Sequence, residues 1–188
     1  MTAQTLPGLQ TTAKMAKDAF LSHCGRYRYY LVRRWSDGPV MLFVMLNPST
    51  ADATNDDPTI RRCIGFAQRE GCGAVAVVNL FALRTPDPRQ LLGVAQALGT
   101  ETIIGRENDK HIATAVSMAS VVVMAWGAHE SRLFSDPENH HDRGHSVWRA
   151  VRHIHGKRTM CLGTTKAGAP KHPLYLAANT PLIPYGPH

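Results

Sequence analysis

The run Val40-Met41-Leu42-Phe43-Val44-Met45-Leu46 constrains the fold more than any other stretch of the chain. A short, continuous apolar run bounded by turn residues reads as a strand buried on both faces, as in a parallel sheet. Asn47-Pro48-Ser49-Thr50 follows at once, and proline cannot donate to a sheet ladder, so the strand ends at about Asn47. Asn47 therefore marks the carboxyl end of a central strand, where open α/β sheets bind their ligands. A plain Asn-Pro turn is the alternative.

The rest of the chain repeats that alternation. Met1 to about Leu9 reads as a loose arm and Thr11 to His23 as a short helix. Tyr27 to Trp35 is aromatic-rich and partly alternating, which predicts a strand. The turn Ser36-Asp37-Gly38-Pro39 leads from it into the Val40 strand, so this first strand is expected to be antiparallel and at an edge. Asp57-Pro58 reads as an N-cap with proline at the first helical position, and the helix runs through Ile60, Ile64 and Ala67 to about Glu70. Ala74 to Val78 is a second buried strand ending at Asn79. Asp87-Pro88 repeats the helix start, and Asn108 or Asp109 caps another helix through Ile112 and Val116. Val121 to Ala125 is a third strand, closed by Trp126-Gly127. Ser135 to His145 is polar and reads as a loop; Val147, Val151 and Ile154 form a helical stripe. Thr159 to Leu162 is a fourth strand, followed by a loop from Gly163 to His172. Strands alternating with helices imply a parallel sheet with right-handed crossovers.

A chain of 188 residues with 44% hydrophobic content suits a single α/β domain, residues 1–188, with a sizeable core. Its 21 Lys and Arg against 14 Asp and Glu give a net charge of +7, which favours anionic partners, with DNA or a nucleotide first among them. The basic residues are scattered, so a solvated basic surface stands as the alternative. The cysteines, Cys24, Cys63, Cys72 and Cys161, form no C-x-x-C pair, so no zinc or iron–sulfur site is suggested. Reduced thiols in the cytoplasm are the expectation. No apolar run reaches membrane-spanning length and no secretory signal is visible, so no membrane partner is expected.

The ends of the first, second and fourth core strands supply an amide at Asn47, an amide at Asn79 and an imidazole at His172. An amide carries one acceptor and two donors, which is what reading the edge of a nucleobase requires. An imidazole can stabilise a developing anion. Phe81, Trp126 and Tyr175 follow strands and are candidates to stack on a base, or else belong to the core. Lys166, Lys171 and Arg84 are candidates to meet backbone phosphates.

The segments LNPSTAD, NDDPTIRRC, VVNLFALR, AWG and PKHPLYL, spread from residue 46 to residue 176, resemble a domain family of bacteria and phages to which no activity is attached. More distantly, the arrangement is similar to the uracil-DNA glycosylase superfamily, whose members have a four-stranded parallel sheet flanked by helices. In its mismatch-specific branch the first motif reads Gly-Ile-Asn-Pro-Gly, and Asn47-Pro48 matches its Asn-Pro. The resemblance implies that Asn47 positions the attacking water, that Asn79 reads the pyrimidine, and that His172, in His172-Pro173, hydrogen-bonds the departing base. It implies a three-layer α/β/α sandwich with a mainly parallel four-stranded core sheet and an N-terminal antiparallel edge strand. Two departures stand out: Ser49 replaces the glycine after Asn-Pro, and Leu174 replaces the serine after His-Pro. No carboxylate occupies the Asn47 position to activate water. Asp52, Asp56 and Asp57 lie close in sequence, with two roles open, supplying that base or capping the helix; capping is favoured for Asp57.

Glu138, His140, His141, Asp142 and His145 fit no usual zinc or iron spacing and read as a solvated loop, and no metal or organic cofactor is called for. Cys161 lies inside a strand and reads as packed. The sequence thus predicts a nucleobase-directed enzyme on a uracil-DNA-glycosylase-like scaffold, possible substrates being DNA or nucleotides and the reaction N-glycosidic hydrolysis. Its rivals are a non-catalytic nucleic-acid or nucleotide-binding module and a metal-dependent hydrolase or nuclease.

Overall fold

The computed structural model describes residues 15–128 and 143–186. In chain order its elements are β1 (Ala16–Leu21), β2 (Arg28–Arg34), β3 (Val40–Met45), α1 (Pro58–Arg69), β4 (Ala74–Asn79), α2 (Arg89–Leu98), α3 (Thr100–Ile104), α4 (Asn108–Met118), β5 (Val121–Met124), α5 (Arg143–Arg149), β6 (Thr159–Cys161) and β7 (Ile183–Pro184). The strands form one mixed sheet in the order β1-β2-β4-β3-β5-β6-β7. Its middle is parallel: β3 pairs with β4 (Phe43 opposite Val77) and with β5 (Phe43 opposite Val123), and β5 pairs with β6.

Two ladders and two apolar clusters bury β3. Leu42 and Val44 pack with Leu91, Ile103, Ile112, Val116, Val147 and Val151, which come from helices α2 to α5 and the turn that continues α5. Met41, Phe43 and Met45 pack with Ile60, Cys63, Phe66 and Ala67 of α1. Alternate residues of a strand point to opposite faces, so a strand apolar at every position needs cover on both. Helix α1 begins as expected: the Asp57 carboxylate accepts from the Ile60 amide at 2.8 Å and Pro58 opens the first turn.

Several expectations are corrected, the first being the size of the sheet, which has seven strands rather than a four-stranded core with one antiparallel edge strand. The described part of Thr11 to His23 is strand β1, not a helix, with residues 11–14 outside the described residues. Cross-strand pairing overrides local preference here, for β1 is antiparallel to β2 and the Phe20 ring stacks on Tyr30 with centroids 5.8 Å apart. Strand β2 is antiparallel but not an edge, because β1 covers one side and β4 the other. Neither Asn108 nor Asp109 caps α4, whose cap position is Glu107; the Asn108 side chain is buried and its Nδ2 donates to the Asn79 and Leu80 carbonyls at 2.9 and 3.1 Å. Arg143, Gly144 and His145 are helical rather than loop, while 129–142 lie outside the described residues. In the stripe that follows, Val147 and Val151 are buried but Ile154 is 77% exposed. Helix α5 widens into a π-helical turn over Ala150–Ile154, which breaks the 3.6-residue period and turns Ile154 away from the core.

Candidate functional site

Four parallel strands end on the same edge of the sheet, and a cleft of about 550 Å³ opens there. Met45 ends β3 and Leu46 and Asn47 follow it, Asn79 ends β4, Trp126 to Ala128 follow β5, and Thr165, Lys171 and His172 follow β6. The first turn of α1 closes one side through Asp57, Thr59 and Ile60. Asn47, Asn79 and His172 thus line one cleft, together with Trp126, Lys171 and Tyr175.

The orientation of each asparagine follows from its partners. The Asn47 Nδ2 lies 2.8 Å from the Thr85 carbonyl and 3.0 Å from the Pro48 carbonyl. Carbonyls only accept, so the amide nitrogen must face them, and Oδ1 is left without a partner among the described residues. Asn79 is the reverse case. Arg28 Nη2 lies 3.3 Å from its Oδ1, and a guanidinium only donates, so the oxygen faces Arg28. Asn79 Nδ2 has no partner among the described residues. Each amide offers the cleft one half of its hydrogen-bonding capacity: an acceptor at Asn47 and a donor at Asn79. Asn108, bonded to the Asn79 carbonyl, holds the end of β4 in place.

Arg28 was not singled out in the sequence. It opens β2, is only 3% exposed, and lines the cleft beside Asn79. Its Nη1 donates to the Ala51 carbonyl at 2.8 Å, and its Nε is buried with no partner among the described residues. Burial pulls its pKa down to about 10, and the charge of Asp57 acts against that fall. Asp57 is the one carboxylate lining the cleft among the described residues. Its Oδ1 caps α1, and its Oδ2 has no partner among those residues.

His172 precedes a 3₁₀ turn, Pro173–Tyr175, and its Nδ1 accepts from the Leu174 amide at 3.3 Å. In the neutral ring that bond puts the proton on Nε2, making the imidazole a donor. The loop reaches the β5 end through Gly127, whose amide donates to the Pro170 carbonyl at 2.9 Å. Gly127 has φ +79, and a Cβ there would stand 3.3 Å from that of His172. Arg62 of α1 donates to the Leu176 carbonyl on the far side of the turn. Tyr175 stands at the rim, 87% exposed, whereas Trp126 is 4% exposed with its ring edge-on to Tyr185 at 5.8 Å. Ser49, at the position of the missing glycine, also lines the cleft.

Four predicted site residues fall outside the cleft lining. Asp52 binds its own loop: Oδ1 accepts from the Thr54 and Asn55 amides at 2.8 Å each, and those bonds hold its carboxyl well below the usual carboxylate range. Arg33, fully buried, ties that loop down through the Asp52 carbonyl and the Asp56 carboxylate. Phe81 is fully buried in the core, because the Phe81 amide still bonds to the Leu46 carbonyl and keeps the chain inside. Arg84 lines a separate hollow of about 310 Å³ with Gly25 and Arg26, and donates to the Gly25 carbonyl. Lys166 is exposed in the turn between the bridged residues Thr164 and Pro170. Of the acidic and histidine-rich segment, Glu138, His140, His141 and Asp142 lie outside the described residues; His145 sits on α5. Among the described residues no group of three or more His, Cys, Asp or Glu could hold a metal ion, and no helix is long and apolar enough to cross a membrane.

Among known protein families, residues 28–174 match the one described as protein of unknown function (DUF1643), and the chain belongs to it. The match takes in Arg28, Asn47, Asp57, Asn79 and His172. No curated protein and no solved structure matches the chain.

Proposed function

We propose that this member of the DUF1643 family is a nucleobase-directed enzyme acting on DNA or nucleotides, and that it hydrolyses the N-glycosidic bond of a modified or mismatched pyrimidine. One observation carries the reading: an acceptor from Asn47, a donor from Asn79 and the His172 imidazole line a single cleft at the carboxyl edge of a parallel sheet. This reading takes the sheet and its two apolar clusters as the three-layer sandwich of the uracil-DNA glycosylases. Asn79 donates to a carbonyl of the base. The His172 ring, protonated on Nε2, stabilises the negative charge that the leaving base acquires. Asn47 Oδ1 accepts a hydrogen bond from the attacking water and holds it beside the sugar. Water adds to the anomeric carbon and gives up a proton, the glycosidic bond breaks with its electron pair passing to the base, and the base takes up a proton from solvent. In duplex DNA the nucleotide must first leave the stack.

The absence of a carboxylate at the Asn47 position favours one rival, a nucleotide-binding module with the same cleft and no turnover. An abasic-site assay decides between them. Oligonucleotides each carrying one uracil, one mismatched thymine or one 5-substituted pyrimidine are incubated with the protein and cleaved with alkali. Strand breaks at one class of base support hydrolysis. Tight binding with no break at any of them supports the module, and neither binding nor breaks removes DNA as the substrate.

A further inference from the structure

We infer that Asp57 is the general base of the cleft, a role that rests on the glycosidic reading above. A hydrolysis of this kind must remove a proton from the attacking water, and Asn47 has no basic group to take it. Asp57 divides its carboxylate between two tasks. Its Oδ1 accepts from the Ile60 amide at 2.8 Å and caps α1. Its Oδ2 has no partner among the described residues, and the residue lines the cleft with Asn47 and Asn79. The cap fixes the side chain, so the second oxygen is delivered in one orientation by the first turn of a 12-residue helix. The buried Arg28 guanidinium lines the same cleft, within electrostatic reach of that carboxylate. Lys171, His172 and Tyr175 line the cleft as well, and Cys63 on α1 lies within electrostatic reach of Asp57.

The step balances without a co-reactant. The water oxygen forms its bond to the anomeric carbon while its proton passes to Asp57 Oδ2. The C–N bond breaks and its electron pair leaves with the base. The proton on Asp57 returns to solvent and one from solvent neutralises the base. Carboxylates elsewhere in the region do not compete: Asp52 is held by the Thr54 and Asn55 amides, and Asp56 pairs with Lys17 and Arg33.

Asparagine caps a helix as well as aspartate does but takes no proton, so Asp57→Asn separates the two tasks. Single-turnover release of the base is measured on the oligonucleotide that the abasic-site assay selects, beside its equilibrium binding and the thermal midpoint. The expected result is a rate about 10²–10⁴-fold lower, with binding changed by less than about threefold and an unchanged midpoint. Asp57→Ser, a second capping residue, should behave alike and serves if the first variant folds poorly. A variant rate within threefold of the parent's overturns the assignment while leaving hydrolysis intact. No release by the parent protein on any oligonucleotide overturns hydrolysis itself, and the base with it.

Discussion

Arg28 is a poorly satisfied charge. It sits almost wholly out of water, one nitrogen has no partner among the described residues, and its pKa falls to about 10 from the usual 12.5. The folded protein thus disfavours its charged form by an amount on the order of 3 kcal/mol. On the proposed reading Arg28 serves the ligand rather than the fold. Replacing it with methionine removes the desolvation cost and leaves the Ala51 carbonyl and Asn79 Oδ1 without donors, at about 1–3 kcal/mol each. The two effects largely offset. Urea unfolding of Arg28→Met should therefore show stability changed by less than about 3 kcal/mol, and a larger loss would mean the cation holds the fold together. The same variant lets the Asn79 amide turn over, so discrimination between bases in the abasic-site assay should weaken. Nothing in the sequence marks Arg28, because it reaches Asn79 only through the long-range pairing of β2 with β4. Asn47 and Asn79 were legible because a strand end is written locally, in an apolar run that stops.

At the scale of elements, the His172 loop is held against β5 by a glycine. Gly127 has φ +79, a backbone conformation that L side chains rarely adopt, and a Cβ there would stand 3.3 Å from the His172 Cβ, a tight contact. Gly127→Ala should cost about 1–3 kcal/mol in urea unfolding from backbone strain alone. It should also push the His172 loop outward, seen as faster amide exchange at Lys171, whose amide bonds the Gly163 carbonyl. A variant with parental stability and exchange would show that the loop is not seated on Gly127. The AWG motif was visible in the sequence, but its reason was not, since the contact joins residues far apart in the chain. The helix that begins at Asp57-Pro58 was legible for the opposite reason: cap, proline and apolar spacing are all local. The sequence left Phe81 open between cleft and core, and did not locate Lys166 relative to the cleft, because following a strand says nothing about which way the chain then turns. Strand β1 was misread since only its pairing with β2 makes it a strand.

Across the whole molecule, the four parallel strands were legible as four apolar runs, whereas the flanking strands β1 and β7 carry too little apolar pattern to announce themselves. Charge was legible only as a total. A net +7 implies attraction to a polyanion, and attraction of that kind is carried by counterions released from phosphates. The structure separates the three candidate phosphate contacts: Lys171 lines the cleft, Arg84 lines the neighbouring hollow, and Lys166 lies in an exposed turn apart from both. If a nucleic acid places one base in the cleft, the phosphates beside that base meet Lys171 first. Anisotropy of a labelled single-stranded oligonucleotide, followed from about 50 to 200 mM salt, should show affinity falling steeply, by about 0.7 in the logarithmic slope for each phosphate neutralised on a single strand. Lys171→Ala should make that slope shallower by roughly one phosphate, weakening binding to all sequences alike. Lys166→Ala should leave it near the parental value. Equal effects of both lysines would place the strand across the turn rather than the cleft. A flat salt dependence in the parent protein would remove the polyanion altogether and leave a small nucleoside as the substrate to test.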